Sequence, residues 1–225
     1  MSPRPQLAPA EVAARRAAIL DATIAEIVRR GPEAVRMKDV AAGAGVSVGT
    51  VQYYFASRDA LLVEAFGAHS AAVIDAIAQL SGGPGTAWQR LRATFAAVPT
   101  VGSHEQRSIV WVELVAAARR SPVLQDSVAE VFAGWRTHLR SLVAEGVAAG
   151  DFDLHMSVDL IVDTLIALID GFDLAVAAGR ESLTPDEISA SLESTAAALL
   201  GVGGTAGAGP AGAGAVEDPA RAVRR

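Results

Sequence analysis

The sequence predicts an all-α protein, on three observations. Of its 225 residues, 51% are hydrophobic but only 5% aromatic, and the many alanines favour helix over sheet. Alternating Val, Ile, Thr and Tyr runs closed by Asn-Gly or Asp-Gly turns are almost absent. Apolar residues recur instead near the 3.6-residue period, between Gly, Pro, Ser and Thr positions that suit helix ends.

Residues 1–10 are Pro-rich and read as a mobile arm. Helix one follows from about Glu11 to Arg30, where Ile19, Leu20, Thr23, Ile24, Ile27 and Val28 form an apolar stripe and Gly31-Pro32 ends it. A short second helix from Met37 carries Val40, Ala41 and Ala44 on a narrow face, small enough for a second helix to cross closely. Gly45 suits a left-handed helix end, and Val46 is placed to plug the corner. Ser47 is a candidate N-cap for a third helix, slim at Gly49 and Thr50 and apolar at Val51, Tyr54 and Phe55. Ser57 reads as another N-cap, with Asp59 in the first turn where the helix dipole favours an acid. The fourth helix continues to about Leu80, roughly 35 Å, long enough to link a head to a separate body.

Ser81-Gly-Gly-Pro-Gly85 is the clearest internal boundary, and Thr86-Ala-Trp-Gln89 reads as a capping box opening helix five. Helix six is expected over about Glu105 to Arg120, and Ser121-Pro122 starts a seventh that reaches about Ala149. After Gly150-Asp151-Phe152, helix eight covers about Ser157 to Ala178, and Thr184-Pro185 opens helix nine, to about Leu200. From Gly201 to Arg225 the chain is Gly/Ala/Pro low-complexity and is expected to be disordered, with too little side chain to offset ordering entropy.

The helix-turn-helix carries the chemistry. A slim, polar helix start backed by an apolar face fits a helix docked in the major groove of DNA. Thr50, Gln52 and Tyr53 are expected to face outward; glutamine pairs with an adenine edge, and Thr or Tyr meets a phosphate or a thymine methyl. Arg58, Arg36 and Lys38, the only lysine, sit at neighbouring helix starts and suit phosphates.

The run Gly45-Val46-Ser47-Val48-Gly49-Thr50-Val51-Gln52-Tyr53-Tyr54-Phe55, then Ser57-Arg58-Asp59-Ala60-Leu61-Leu62, resembles the DNA-binding signature of the TetR family over residues 15 to 65. It departs at Arg36, where members often carry Ser or Thr at the cap of the second helix. The resemblance implies a three-helix head (11–57), a six-helix ligand-binding and dimerisation body (58–200, with 58–81 as the linking helix), and DNA contacts at Arg36, Lys38, Ser47, Val48, Thr50, Gln52, Tyr53, Tyr54 and Arg58. Trp111-x-x-Leu, Arg120-Ser-Pro-Val-Leu124, Gly150 and Asp170-Gly171-Phe172 make the body resemble BetI-type members.

Pairing through the last two helices is implied in the same way. Leu160, Leu165, Leu168 and Ile169 on helix eight, with Ile188, Leu192 and Leu199 on helix nine, are the expected dimer interface, against the plainer reading of a monomeric core. A small-molecule effector is expected among Trp88, Phe95, Trp111, Glu113, Trp135, Asp163, Asp170 and Phe172. Asp159, Asp163, Asp170 and Asp173 lie close to one face of helix eight. That row reads either as a solvated edge or as the acidic wall of a pocket for a cation, with tryptophans supplying cation–π contacts.

Net charge is −6, which taken whole disfavours a nucleic-acid partner. Residues 1–60, however, carry +2 and residues 61–225 carry −8, so the basic excess lies with the helix-turn-helix. There is no cysteine, hence no disulfide or thiolate metal site, and the four histidines show no metal-ligand spacing. Nucleophile elbows, Walker loops and dinucleotide fingerprints are missing, so neither an enzyme nor a cofactor is expected. The N-terminus lacks a signal-peptide core, and Asp163 interrupts the most apolar helix, so a cytoplasmic protein with no membrane span is expected. The function expected is a ligand-responsive dimeric repressor on a pseudo-palindromic operator. Its alternatives are an activator, or a helical ligand- or protein-binding module without operator recognition.

Overall fold

A computed structural model describes residues 8–180 and 182–202. Among them are nine helices and no strand: α1 (Pro9–Arg30), α2 (Met37–Gly43), α3 (Val48–Tyr54), α4 (Arg58–Ser81), α5 (Ala87–Ala97), α6 (His104–Ala118), α7 (Pro122–Ala149), α8 (Val158–Ala177) and α9 (Pro185–Leu200), with a 3-10 turn at Pro32–Ala34. α1 opens two residues before the expected Glu11, because Pro9 is well placed in a first turn whose N–H groups have no intrahelical partner.

Side-chain caps set most other starts. Ser47, Ser57, Thr86, Ser103, Ser157 and Thr184 each accept the backbone N–H three residues on. Such a cap contributes roughly 1 kcal/mol. At Thr86 and Thr184 the third residue, Gln89 or Glu187, reaches back to complete a capping box. Gly45 takes φ +65 between α2 and α3, and the Val46 N–H bonds Ala41 O at 2.9 Å, which holds the turn.

Two cores form. One joins Ile19, Ile24 and Ile27 of α1, Val40 of α2, Val51 and Phe55 around α3, and Leu61, Leu62 and Phe66 of α4 to Val110, Leu114 and Leu124 of α6 and α7. The head therefore packs on α6 and α7 rather than hanging from α4 alone. The second core gathers Ile77, Leu91, Phe95, Leu139, Val143, Ile161, Leu165, Leu192 and Leu200 from α4, α5 and α7 to α9. Trp135 packs against both.

This second core corrects part of the expected dimer interface. Leu165, Ile169, Ile188 and Leu192 are at most 4% exposed within one chain, and Leu168 and Leu199 are half-buried against the same cluster. Of the seven, Leu160 alone is well exposed, at 54%. The apolar stripes of α8 and α9 are covered by the chain's own α5, α6 and α7.

Two other expectations shift. Gly201 takes φ +67 to end α9, and Val202 donates to Ala197 O at 3.0 Å and packs on the body core, so these two residues belong to the body. The low-complexity expectation otherwise falls on 203–225, outside the described residues. It is α4, not α8, that is long and apolar enough to cross a membrane, among the described residues. α4 packs along α1, α5 and α7.

Candidate functional site

The head presents one exposed tip. Ser47 caps α3 by accepting the Thr50 N–H at 3.0 Å, and the two hydroxyls bond each other at 2.9 Å. Val51 is fully buried behind the helix, while Tyr53 is 83% exposed and Gln52 is also exposed. Val48 and Gly49 leave the tip slim. Arg36 and Lys38 are exposed beside it without an acidic partner among the described residues, and Arg36 makes no side-chain cap.

Three expected contacts are placed otherwise. Arg58 Nε donates to Val35 O at 2.9 Å, its Nη2 donates to Pro32 O, and Nη1 meets Asp59 at 3.2 Å. The guanidinium is a strut that ties the start of α4 to the turn after α1. Tyr54 is half-buried against the head core and stands edge-on to Tyr53, with ring centroids 5.3 Å apart. The Ser47 hydroxyl is engaged in the cap. Sequence reasoning passed over Arg15, which shares an open groove with Gly45, Val46 and Thr50. Its neighbour Arg16 is ion-paired with Glu64 and lies over the Phe55 ring, 5.0 Å from the centroid. The helical period alone separates these adjacent arginines onto different faces.

In the body a chamber of about 50 Å³ lies where the two cores meet. α4 contributes His69, Val73 and Ile74, α6 contributes Arg107 and Trp111, α7 contributes Trp135, and α8 contributes Asp170 and Asp173. Of the expected pocket residues, Trp111, Trp135 and Asp170 are here. Phe95 is 1% exposed in the second core, with Trp88 and Phe172 packed on that core. Glu113 lies against the α1 corner: a Cβ on Gly31 would stand 3.5 Å from its Oε2. Asp163 pairs with Arg136 on the surface, as Asp159 pairs with Arg140. The acidic row on α8 thus divides, its first half a solvated edge and its second half a chamber wall.

The chamber's charges are unevenly matched. Asp173 accepts from Ser108 Oγ at 2.7 Å and faces His104 Nε2 at 3.1 Å. Asp170 lacks such a partner; burial and the nearby Asp173 raise its carboxyl to about 6, against a hydrogen bond from Trp111. Burial lowers His69, aided by Arg107, and also lowers Arg107. His69 and Arg107 escaped sequence reasoning because they come from two helices with no common spacing.

Comparison with known proteins decides the family. Residues 19–65 match the family described as bacterial regulatory proteins of the tetR family, and residues 87–201 match the BetI-type transcriptional repressor C-terminal family. The chain belongs to the TetR family. Among TetR-family relatives, it is 32% identical to the transcriptional repressor KstR of Mycolicibacterium smegmatis over 68% of this chain. That match spans 61% of KstR. A transcriptional regulator from Pseudomonas aeruginosa superposes with a TM-score of 0.75 at 25% identity, covering 87% of this chain and 93% of its own. One from Saccharomonospora viridis, solved in complex with choline, superposes at 0.72 and 25% identity, covering 81% and 95%. Most of this TetR-family chain thus has a template of known architecture, with α2 and α3 inside the segment that matches the family's DNA-binding region.

Proposed function

We propose that this chain is a DNA-binding repressor that acts as a dimer on a pseudo-palindromic operator and is released by a small molecule held in the chamber. The observation that carries the first half is the tip of α3. A recognition helix needs polar side chains that leave the protein surface over an apolar back, and Gln52 and Tyr53 do so over buried Val51. Arg36, Lys38 and Arg15 supply cations for phosphates. Residues 11–57 form the reading unit in this account, and 58–202 carry the dimer and the ligand. A regulator that reads chromosomal operators works in the cytoplasm.

The dimer is placed on the outward face of α8 and α9. Leu160, Ala167, Gly171 and Leu174 are exposed at offsets that share one side of α8, and Ala190, Ser191 and Ala198 are exposed on α9. Small residues let two such helix pairs approach closely. The chamber suits an effector site because α4 forms one wall and its other end follows α3 by three residues. A ligand there acts only through different affinity for the two arrangements of α4. That a structurally similar regulator is in complex with choline supports a small cationic effector.

Random-sequence duplexes are selected on the purified protein, and affinity for the enriched pool is followed against salt. An inverted repeat whose affinity falls steeply with salt is expected. A pool without enrichment would favour a helical module that has lost operator recognition.

A further inference from the structure

A second cavity, of about 260 Å³ against about 50 Å³ for the chamber, lies where three parts of the chain meet, and it shares no lining residue with the chamber. The head contributes Pro32 and Glu33 from the turn after α1, and α4 contributes Arg58 and Leu62. The body contributes Ala117 of α6 and Leu124 of α7. Leu62, Ala117 and Leu124 give the cavity an apolar side, since all three belong to the buried core behind it. Two ion pairs complete the lining, Arg58 with Asp59 and Arg120 with Glu33.

The two signs of charge are not held alike. Val35 O fixes the Arg58 guanidinium at 2.9 Å from Nε, Pro32 O holds its Nη2, and neutral carbonyls leave its charge in place. Its acidic partner Asp59 meets Nη1 at 3.2 Å from a side chain that is 71% exposed. Glu33 is 57% exposed and Arg120 65%, so that pair parts in water at little cost. An incoming cation stands against the anchored Arg58 charge. An incoming anion meets that charge already oriented, draws Arg120 in as a second donor, and lets both carboxylates turn out to solvent. Ser121, whose hydroxyl makes no cap bond to α7, lines the cavity as a further donor. We propose that the cavity binds a small organic carboxylate, its anionic end on Arg58 and Arg120 and its apolar end on Leu62, Ala117 and Leu124.

Such an occupant touches head and body at once. The Glu33–Arg120 pair ties the turn after α1 to the corner between α6 and α7. A carboxylate on Arg120 opens that tie and sets a wedge of apolar volume in its place. The angle of the head is thereby linked to occupancy, and by reciprocity the operator changes the ligand's affinity by the same factor. The cavity is a second effector site, independent of what the chamber holds.

Three compounds of one shape test the sign: 3-phenylpropanoate, 3-phenylpropan-1-ol and 3-phenylpropylammonium. Calorimetry on the full chain is expected to give the carboxylate an affinity at least about fivefold above either of the others. Arg120→Gln should bring the carboxylate within about twofold of the alcohol. Val63→Phe, which fills the cavity from a half-buried position in its lining, should abolish binding. The alcohol or the ammonium binding as tightly as the carboxylate overturns the proposal on the wild-type protein alone, whatever the variants' folding. Absence of binding at millimolar 3-phenylpropanoate overturns it too, as does a preference for the carboxylate that survives Arg120→Gln. Operator affinity is read on the same samples. A change of at least about threefold at saturating 3-phenylpropanoate is expected, and an unchanged affinity would overturn the effector role.

Discussion

Tyr53 carries the sharpest prediction at the level of single residues. Its ring is 83% exposed and meets only the edge of Tyr54, so Tyr53→Ala should lower the melting temperature by no more than a few degrees while operator affinity falls by roughly tenfold or more. Arg58 predicts the reverse pattern. Losing its bonds to Pro32 O and Val35 O should cost about 1–3 kcal/mol of stability, with the salt slope of DNA binding unchanged. A slope lowered by about one unit would make it a phosphate contact after all. Asp170 adds a pH signature. Its folded-state carboxyl lies above the ordinary value, so it binds protons in the folded state that the unfolded chain has released, and stability falls as pH rises through about 6. Asp170→Asn should therefore raise the melting temperature at pH 8, by about half as much at pH 5, and not at all below about pH 4. A gain that does not shrink on acidification would mean Asp170 is solvated. What the sequence could show at this scale followed from local spacing: Ser47, Gln52 and Tyr53 sit within one turn of each other. Arg58 was misread because its partners lie more than 20 residues away, across a corner.

Among elements, the link between α7 and α8 is the most tightly specified. Gly150 ends α7 at φ +76, the Asp151 N–H returns to Gly146 O at 2.8 Å, and Phe152 folds back onto Gly146. A Cβ at Gly146 would stand 2.0 Å from Phe152 Cε2. Gly146→Ala should lower stability by about 1–3 kcal/mol through overpacking, although alanine is the better helix former by roughly 1 kcal/mol. Urea unfolding with no loss would show that Phe152 can move aside. The helices themselves were legible, because caps, glycines and apolar periods are local signals. The occupant of each apolar stripe was not: Leu165 and Leu192 show the same periodicity whether a second subunit or the chain's own helices cover them.

Across the whole molecule, the chamber sits at the seam between the core that carries the head and the core that carries the body, with Trp135 in both. The ion pair of Glu33 with Arg120 and the nearness of Glu113 to Gly31 bring a second line of contact from α6 to the head. Both arise from the packing of α6 against the start of the chain, which no short stretch of sequence announces. The charge asymmetry between residues 1–60 and 61–225 was legible and agrees with the placement of the exposed cations on the head. The central claim is that α3 of two subunits docks in successive major grooves, and hydroxyl-radical footprinting of the enriched duplex tests it most directly. The account predicts two protected faces related by two-fold symmetry, about one helical turn apart or slightly more, both lost with Tyr53→Ala. A single asymmetric patch, or protection that survives that substitution, would contradict it.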